Sequence, residues 1–294
     1  GSFPTELPAQ CGPYLFDSWE QGQKVTLKKN PDWTGEPQAW EVVEIYIVTD
    51  DQAAQLAYEA DSFDYTRVAV AAATGLRETL PEGATLIEAQ STRYAWLTIN
   101  MNAEPLKDPR VRQAIQHAYD GESVLIGAYD GLVPRSTGVV PPGPYSRAAN
   151  LIATRDVEKA KALLAEAGAE GLTLNLVALT DGTSQAIAQI IQASLAEAGI
   201  TVNIQPTEDA VYWSLGDKTA GDTYLSLELV LMNFAGGVDP TENLVWFRPD
   251  QIGVYNWSFF DSAEYEELYQ ASLLETDPDQ RKAMFNRKEE LMED

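Results

Sequence analysis

The chain has 294 residues, of which 45% are hydrophobic and 22% are charged, so its composition is that of a globular protein with one large or two modest cores. Its 45 acidic and 20 basic residues give a formal net charge of −25, which repels the phosphate backbone, and no nucleic-acid partner is expected. No run approaches the roughly 18 apolar residues that a membrane-spanning helix needs. The negative charge would attract cationic ligands, although a solvated acidic surface accounts for it without any ligand.

Residues that bind metals or carry out covalent chemistry are scarce. The one cysteine, Cys11, excludes a disulfide within the chain and a cysteine-based zinc cluster, and it is interpreted as a small packed residue. The one histidine, His117, lacks a second histidine for a metal pair, so it is interpreted as a packed or solvated helix residue. No metal and no cofactor are expected. Gly1 and Ser2 are interpreted as a tag remnant, and the sequence as given contains no signal peptide.

The first third of the chain predicts a mixed sheet. Short strands are predicted at 25–27, 42–48, 63–68 and 85–88, with a helix at 50–60. The segment 94–99, Tyr-Ala-Trp-Leu-Thr-Ile, is rich in β-branched and aromatic residues and predicts a buried strand.

Helices and strands alternate in the remainder. Asp108 and Pro109 are typical of the N-cap and first residue of a helix, and a loop rich in Gly and Pro follows at 131–144. Helices are then predicted at 156–168, 183–198 and 209–219, and strands at 172–179, 200–204 and 224–232. Strand-helix-strand units of this length predict right-handed crossovers in a largely parallel sheet.

Ligands of open α/β sheets bind beyond the carboxyl ends of the strands, so the loops at 180–183 and 233–239 are candidates. In the second loop Gly236 and Gly237 would let a ligand approach the backbone closely, although a tight turn without a ligand explains them as well. Asp239 is either a charged ligand contact or the N-cap of a helix in which Pro240 is the first residue.

Aromatic residues cluster after this loop, among Asn243 and Asn256. They are Trp246, Phe247, Tyr255, Trp257, Phe259 and Phe260. Large rings with a polar edge suit amphipathic ligands or stacked sugars, although core packing accounts for at least half of them. Tyr255 and Trp257 are predicted to be the exposed members of the cluster.

No catalytic constellation is present, and the chain is not expected to be an enzyme. The sequence contains no Gly-x-Ser-x-Gly elbow, no phosphate-binding Gly-rich loop and no metal-ligand spacing. Paired carboxylates could serve a glycosidase, but with 45 acidic residues any pair chosen from the sequence would be arbitrary.

Several short phrases, in a consistent order between residues 9 and 294, carry a family resemblance. They are Gly-Pro-Tyr at 12–14, Asn-Pro-Asp-Trp at 30–33, the phrase at 59–64, Ile-Asn at 99–100, Asp-Pro-Arg-Val-Arg-Gln-Ala-Ile at 108–115, Ala-Lys-Ala-Leu-Leu-Ala-Glu-Ala-Gly at 160–168, Asp-Pro at 239–240, Tyr-Asn-Trp at 255–257 and Glu-Thr-Asp-Pro at 275–278. Together they resemble the peptide- and nickel-type solute-binding proteins of ABC transporters, extracellular solute-binding protein family 5, which includes dipeptide and oligopeptide binders.

The resemblance implies an α/β fold of the periplasmic-binding-protein type, in which two lobes close on a ligand about a hinge. It implies a monomeric, extracytoplasmic receptor that captures an oligopeptide or similar solute and delivers it to permease subunits of an ABC importer in the membrane. Residues 3–105 are predicted to belong to lobe I, as a mixed sheet near the hinge, and residues 106–294 to lobe II.

The predicted ligand contacts are Asn100, Asn233, Phe234, Gly236, Gly237, Trp246, Tyr255 and Trp257. The chain departs from the family at its ends, where longer segments are usual, so it is expected to be a fragment that binds solute weakly or not at all. It also departs at Gly236, where peptide binders often carry the Asp that pairs with the α-ammonium of the peptide. Oligosaccharide or opine-like solutes therefore stay open, as does a ligand-sensing receptor domain of the same fold.

Overall fold

The structure is a computed structural model that describes residues 10–89, 91–141, 143–147 and 154–293. The chain divides into two compact units, residues 1–84 and residues 85–294. The predicted tag remnant lies outside the described residues. In the part that the structure describes, no helix combines the length and the apolar character needed to cross a membrane.

The first unit contains an antiparallel sheet in the order β1-β2-β3 and two helices. Its elements are β1 (Tyr14–Glu20), β2 (Lys24–Lys29), β3 (Val42–Tyr46), α1 (Asp51–Glu59) and α2 (Val70–Glu78). The helix predicted at 50–60 is formed, and Asp50 caps it, since its Oδ1 accepts a hydrogen bond from the N–H of Ala53 at 2.7 Å. Cys11 is exposed, so its interpretation as a packed residue was wrong.

Two predicted strands are not formed. The segments 63–68 and 85–88 are irregular, and the helix α2 lies between them. Each segment has the residue types of a strand, but neither pairs with the three-stranded sheet. A short apolar run becomes a strand only when a neighbouring strand accepts its backbone hydrogen bonds.

The second unit contains a four-stranded sheet in the order β4-β7-β5-β6. Its strands are β4 (Arg93–Ile99), β5 (Thr173–Leu179), β6 (Thr201–Thr207) and β7 (Leu229–Ala235). The strands β5 and β6 are parallel, as are β5 and β7, which agrees with the predicted crossovers. The strand β4 runs antiparallel to β7 and pairs along its whole length. The lobe boundary predicted after residue 105 therefore separates β4 from the sheet to which it is hydrogen-bonded.

Helices cover both faces of this sheet. They are α3 (Pro109–Ala118), α4 (Gly121–Tyr129), α5 (Val157–Ala167), α6 (Gly182–Glu197), α7 (Asp209–Tyr212), α8 (Thr223–Ser226), α9 (Thr241–Leu244), α10 (Ala263–Leu274) and α11 (Pro278–Glu293), with 3-10 turns at Val245–Phe247 and Pro249–Gln251. The predicted N-terminus of α3 and both predicted termini of α5 are confirmed. Asp108 and Asp156 cap the first turns of these helices, and Gly168 ends α5 in the left-handed region.

The helix predicted at 209–219 and the strand predicted at 224–232 were placed imprecisely. The helix α7 ends at Tyr212, and a single helical turn, α8, occupies the start of the predicted strand. The strand β7 begins at Leu229 because its partner β4 pairs with residues 229–235. Pairing across the sheet decided the bounds of this strand.

Side-chain alternation gives the sheet two different faces. The aliphatic face packs under α3, α4, α5 and α6, and its sheet residues are Ala95, Leu97, Ile99, Leu174, Leu176, Ala178, Val202, Ile204, Leu229 and Leu231. The aromatic face packs under residues 244–285, and its sheet residues are Trp96, Val177, Val230, Met232 and Phe234. The covering segment contributes Trp246, Phe247, Tyr265 and Phe285. His117 is buried in α3, as predicted, with Nδ1 at 3.4 Å from the carbonyl oxygen of Thr154.

Candidate functional site

The strand β7 leads into the candidate loop with its side chains on alternate faces of the sheet. Phe234 lies on the aromatic face, where its ring centroid is 4.7 Å from that of Trp246. Asn233 points to the opposite face, and its Oδ1 accepts a hydrogen bond from Nη1 of Arg93 at 3.3 Å. The two neighbours were predicted to contact one ligand together, but the pleat of the strand separates their side chains.

An open pocket of about 390 Å³ lies on the aromatic side beyond the carboxyl ends of β6 and β7. It is lined by Trp213, Phe234, Glu242, Val245, Trp246 and Tyr255. The structure thus brings together three of the residues predicted from the sequence, namely Phe234, Trp246 and Tyr255.

Trp246 forms the floor of this aromatic pocket. Its side chain is only 6% exposed, and its ring centroid lies 5.0 Å from Tyr255 and 6.0 Å from Trp213. Tyr255 and Trp213 are 48% and 37% exposed, so their rings form the accessible walls. The indole N–H of Trp213 donates to Oδ1 of Asp209 at 3.1 Å, and the indole also packs against the rings of Tyr212 and Trp257.

Gly237 makes room for the one carboxylate in the pocket wall. A Cβ at Gly237 would overlap the carboxylate of Glu242, so any larger residue would displace this side chain. Glu242 is exposed, and the described residues give its carboxylate no hydrogen-bond or ion-pair partner. The pocket therefore combines aromatic walls with a free negative charge.

Gly236 is explained by packing within the protein. A Cβ at Gly236 would overlap Oδ1 of Asn243, and the carbonyl oxygen of Gly236 accepts a hydrogen bond from Oγ1 of Thr92 at 2.6 Å. Asn243 is fully buried, and its amide nitrogen and oxygen have no hydrogen-bond partner. An acidic side chain at position 236 would occupy the space that Asn243 fills.

Asp239 is held by the protein rather than by a ligand. Its carboxylate accepts hydrogen bonds from the backbone N–H and hydroxyl of Thr241 and pairs with Arg281 at 2.8 Å. Burial alone would raise the pKa of Asp239, but the hydrogen bonds from Arg281 and Thr241 hold that pKa below its usual value. The capping interpretation of Asp239 is correct only in part: α9 begins at Thr241 with Pro240 as its N-cap, one residue later than predicted, although Asp239 accepts from the N–H of Thr241.

Two other predicted contacts lie away from the pocket. Asn100 follows the far end of β4, about 20 Å along the strand from the end that faces Phe234. It is fully buried, and its side chain bonds to the carbonyl of Tyr224 and the N–H of Asn102. Trp257 was predicted to be exposed, and this was wrong: it is 3% exposed and packs against the ring of Tyr212.

Trp213, Glu242 and Val245 were missed as pocket residues. Trp213 follows β6 in the chain. Sites form at the carboxyl ends of parallel strands, so the segment after β6 was a signal for Trp213 as a pocket residue. Glu242 was not among the predicted ligand contacts. The other candidate loop, at 180–183, does not line the pocket. Its Asp181 instead caps α6 by accepting a hydrogen bond from the N–H of Ser184 at 2.9 Å.

The four-stranded sheet with helices on both faces defines an α/β protein. Within the described ranges, no three His, Cys, Asp or Glu side chains are grouped as metal ligands. The chain belongs to the bacterial extracellular solute-binding proteins, family 5: the sequence profile of the middle region of this family matches residues 1–250.

Known proteins resemble the chain along nearly all of its length. The probable D,D-dipeptide-binding periplasmic protein DdpA of Escherichia coli is 25% identical over 298 residues, which cover 99% of this chain and 56% of that protein. A dipeptide-binding protein from a Pseudoalteromonas species, solved in complex with Met-Leu, is 20% identical with a TM-score of 0.85, over 96% of this chain and 56% of that one. The solute-binding protein MoaA from A. tumefacien, solved in complex with mannopinic acid, is 27% identical with a TM-score of 0.81, over 96% and 57% of the two chains.

These similarities confirm the predicted fold class and family. They also show that the chain spans about half the length of the relatives that it matches. The predicted closure of two lobes concerns a complete receptor and stays a prediction.

Proposed function

We propose that this chain forms the solute-contacting part of an extracytoplasmic receptor that delivers a small solute to the permease of an ABC importer. The observation that carries the proposal is the aromatic pocket beyond β6 and β7, in a chain that belongs to a family of extracellular solute-binding proteins. Pockets of this size and apolar character at the carboxyl ends of strands are typical ligand sites.

The proposed contacts differ from those predicted from the sequence. Phe234, Trp246 and Tyr255 remain as contacts, and Trp213 and Glu242 are added because they line the same pocket. Gly237 acts through the space that it leaves for Glu242.

The other four predicted residues become structural supports. Gly236 accommodates Asn243, Asn233 bonds to Arg93 on the opposite face, and Asn100 and Trp257 are buried. None of these four lines the pocket.

The proposed solute is an oligopeptide or a related amphipathic molecule, and no reaction is proposed for it. Relatives with dipeptides in their names support a peptide, whereas MoaA, at 27% identity, supports an opine-like solute as the alternative. The receptor is proposed to act as a monomer outside the cytoplasm, where ligand-dependent hinge closure would favour docking on the permease.

Calorimetry of this chain against a panel of peptides, opines and sugars tests the proposal. We expect this chain to bind at least one solute weakly but saturably, with an affinity that falls at least about fivefold in Tyr255→Leu, because this exposed ring forms a pocket wall. The matched control is Tyr65→Leu, which removes a 77% exposed ring in the first unit and should leave the affinity unchanged. Absence of binding across the panel, or equal affinities in both variants, would contradict the proposed site.

A further inference from the structure

The aromatic pocket has the electrostatic character of a cation site. Its lining contains four aromatic rings, one carboxylate and one valine, and it contains no lysine or arginine. The face of an aromatic ring carries partial negative charge, so a cation within about 6 Å of a ring centroid is attracted to it. The rings of Phe234, Tyr255 and Trp213 all lie within 6.0 Å of the ring of Trp246, so one bound group could reach several ring faces.

The carboxylate of Glu242 favours a cationic occupant of the pocket over a neutral one. Its carboxylate is exposed and unpaired in the described part of the chain, and it borders the space enclosed by the rings. A neutral apolar group seated on the rings would remove water from this carboxylate without replacing the lost interactions, which is unfavourable. A cation would provide the missing countercharge. The net charge of −25 would also raise the local concentration of cations around the protein.

The hydrogen-bonding capacity of the pocket indicates the kind of cation. A primary ammonium group has three N–H donors that need acceptors once water is removed. Of the six lining side chains, Glu242 and Tyr255 offer oxygen acceptors to a ligand, whereas the other four offer ring or methyl surface and no acceptor. An alkylated ammonium has few or no N–H donors and presents methyl groups that pack on rings.

We propose that this pocket binds the alkylated ammonium group of a cationic solute, with Trp213, Trp246 and Tyr255 facing the cation and Glu242 supplying the countercharge. The inference rests on the proposed function and narrows its solutes to related amphipathic molecules that carry an alkylated ammonium group.

The test compares two probes of equal shape and different charge, choline and its uncharged analogue 3,3-dimethylbutan-1-ol. Each is titrated into the full chain while tryptophan fluorescence and the indole N–H signals in NMR spectra are recorded. We expect choline to bind at least about tenfold more tightly than the alcohol, since several cation–π contacts and one ion pair add to the packing that both probes share. Raising the salt concentration should weaken the binding of choline only.

Glu242→Gln keeps the size of the side chain and removes its charge. It should weaken choline about threefold to fivefold and leave the alcohol unchanged, as expected for one exposed ion pair. Glu122→Gln is the matched control, because it removes an equal charge from the first turn of α4, on the aliphatic side of the sheet. It should change neither affinity.

The outcomes separate this inference from the proposed function. Equal affinities for choline and the alcohol, both reduced by Tyr255→Leu, would overturn the cation preference and leave solute binding in the pocket intact. Equal weakening of choline by both glutamate variants would also overturn the role of Glu242, because it would reduce the effect to net charge. If Tyr255→Leu changed neither choline binding nor binding of any panel solute, the proposed function would fail together with the inference.

Discussion

The two faces of the four-stranded sheet are built from the same strands but differ in how completely they are packed and hydrogen-bonded. On the aliphatic face, branched side chains such as Leu174, Leu176 and Leu229 are fully buried under helices. On the aromatic face, the hydroxyl of Tyr94 and the indole N–H of Trp96 are buried without hydrogen-bond partners. The side-chain amide of Asn243, which lies behind the pocket, is buried in the same way.

This difference shows how one sheet can combine a stable core with a binding surface. Small branched side chains interdigitate closely, whereas rings pack at fixed angles and leave space at the edge of their cluster. An unpaired buried polar group costs about 1–3 kcal/mol, so the aliphatic face must provide stability that the aromatic face gives up. The pocket lies where the aromatic packing ends, at the carboxyl ends of β6 and β7.

The largest effect on stability is expected on the aliphatic face. Leu176→Ala removes a fully buried side chain and leaves a cavity, so the free energy of unfolding should fall by about 4 kcal/mol. Leu274→Ala, at an 85% exposed position, is the control and should change it by less than about 0.5 kcal/mol. Urea unfolding followed by circular dichroism measures both. A comparably small loss in the two variants would show that this face is not the stabilising one.

Gly236→Ala tests the packing behind the pocket. The new methyl group would overlap Oδ1 of Asn243, so the variant should lose about 3 kcal/mol of unfolding free energy. Gly182→Ala is the control, since a Cβ there meets no atom within 4 Å. Adding Asn243→Ala to Gly236→Ala should restore part of the stability, and strictly additive losses would contradict the overlap.

The burial of Lys288 on the aromatic side of the sheet predicts that the stability of the fold depends on pH. It is fully buried, its Nζ donates to Oγ of Ser272 at 2.9 Å, and the ring of Phe285 lies 4.6 Å away. Burial, with a smaller contribution from the charge of Arg281, lowers the pKa of Lys288 from 10.5 to about 7. Between these two pKa values the unfolded chain binds a proton that the folded chain does not, so folding becomes more favourable as pH rises through this window.

Lys288→Met should remove this pH dependence. The free energy of unfolding of the variant, relative to that of the unsubstituted protein, should be highest at pH 7 and below. This difference should shrink by about 2 kcal/mol between pH 7 and pH 9. Urea unfolding at half-unit steps of pH measures the difference. Parallel stability curves for the two proteins would show that Lys288 has the same pKa in the folded and unfolded states.

The smallest effect is expected at Asn233, which precedes a pocket residue but points to the aliphatic face. Asn233→Ala removes only the 3.3 Å bond to Arg93, so stability should change by less than about 0.5 kcal/mol and solute affinity should not change. Phe234→Leu, one residue further on, should weaken solute binding. The same titrations compare the two variants, and equal weakening by both would contradict the assignment of the side chains to opposite faces.

Much of the local structure followed from the sequence, because its causes lie within a few residues of one another. Asp108 and Asp156 cap their helices through bonds to N–H groups two or three residues away, so these helix starts were predictable. The strand at 94–99 was recognisable from its residue types, but its partner was not, because β7 pairs with it from more than a hundred residues further along the chain. Its assignment to lobe I stays a prediction, although β4 is hydrogen-bonded to the sheet of the second unit.

The residue types and short phrases of the chain were enough to predict the family, the fold class, and a glycine loop with an aromatic cluster near a strand end. Which rings line the pocket depends on contacts between distant parts of the chain. Trp246 and Trp257 look alike in the sequence and are both almost fully buried, yet only Trp246 lines the pocket, since Trp257 packs behind Trp213. Exposure of a ring depends on neighbours from β4, β6 and β7 at once, and no local pattern contains that information.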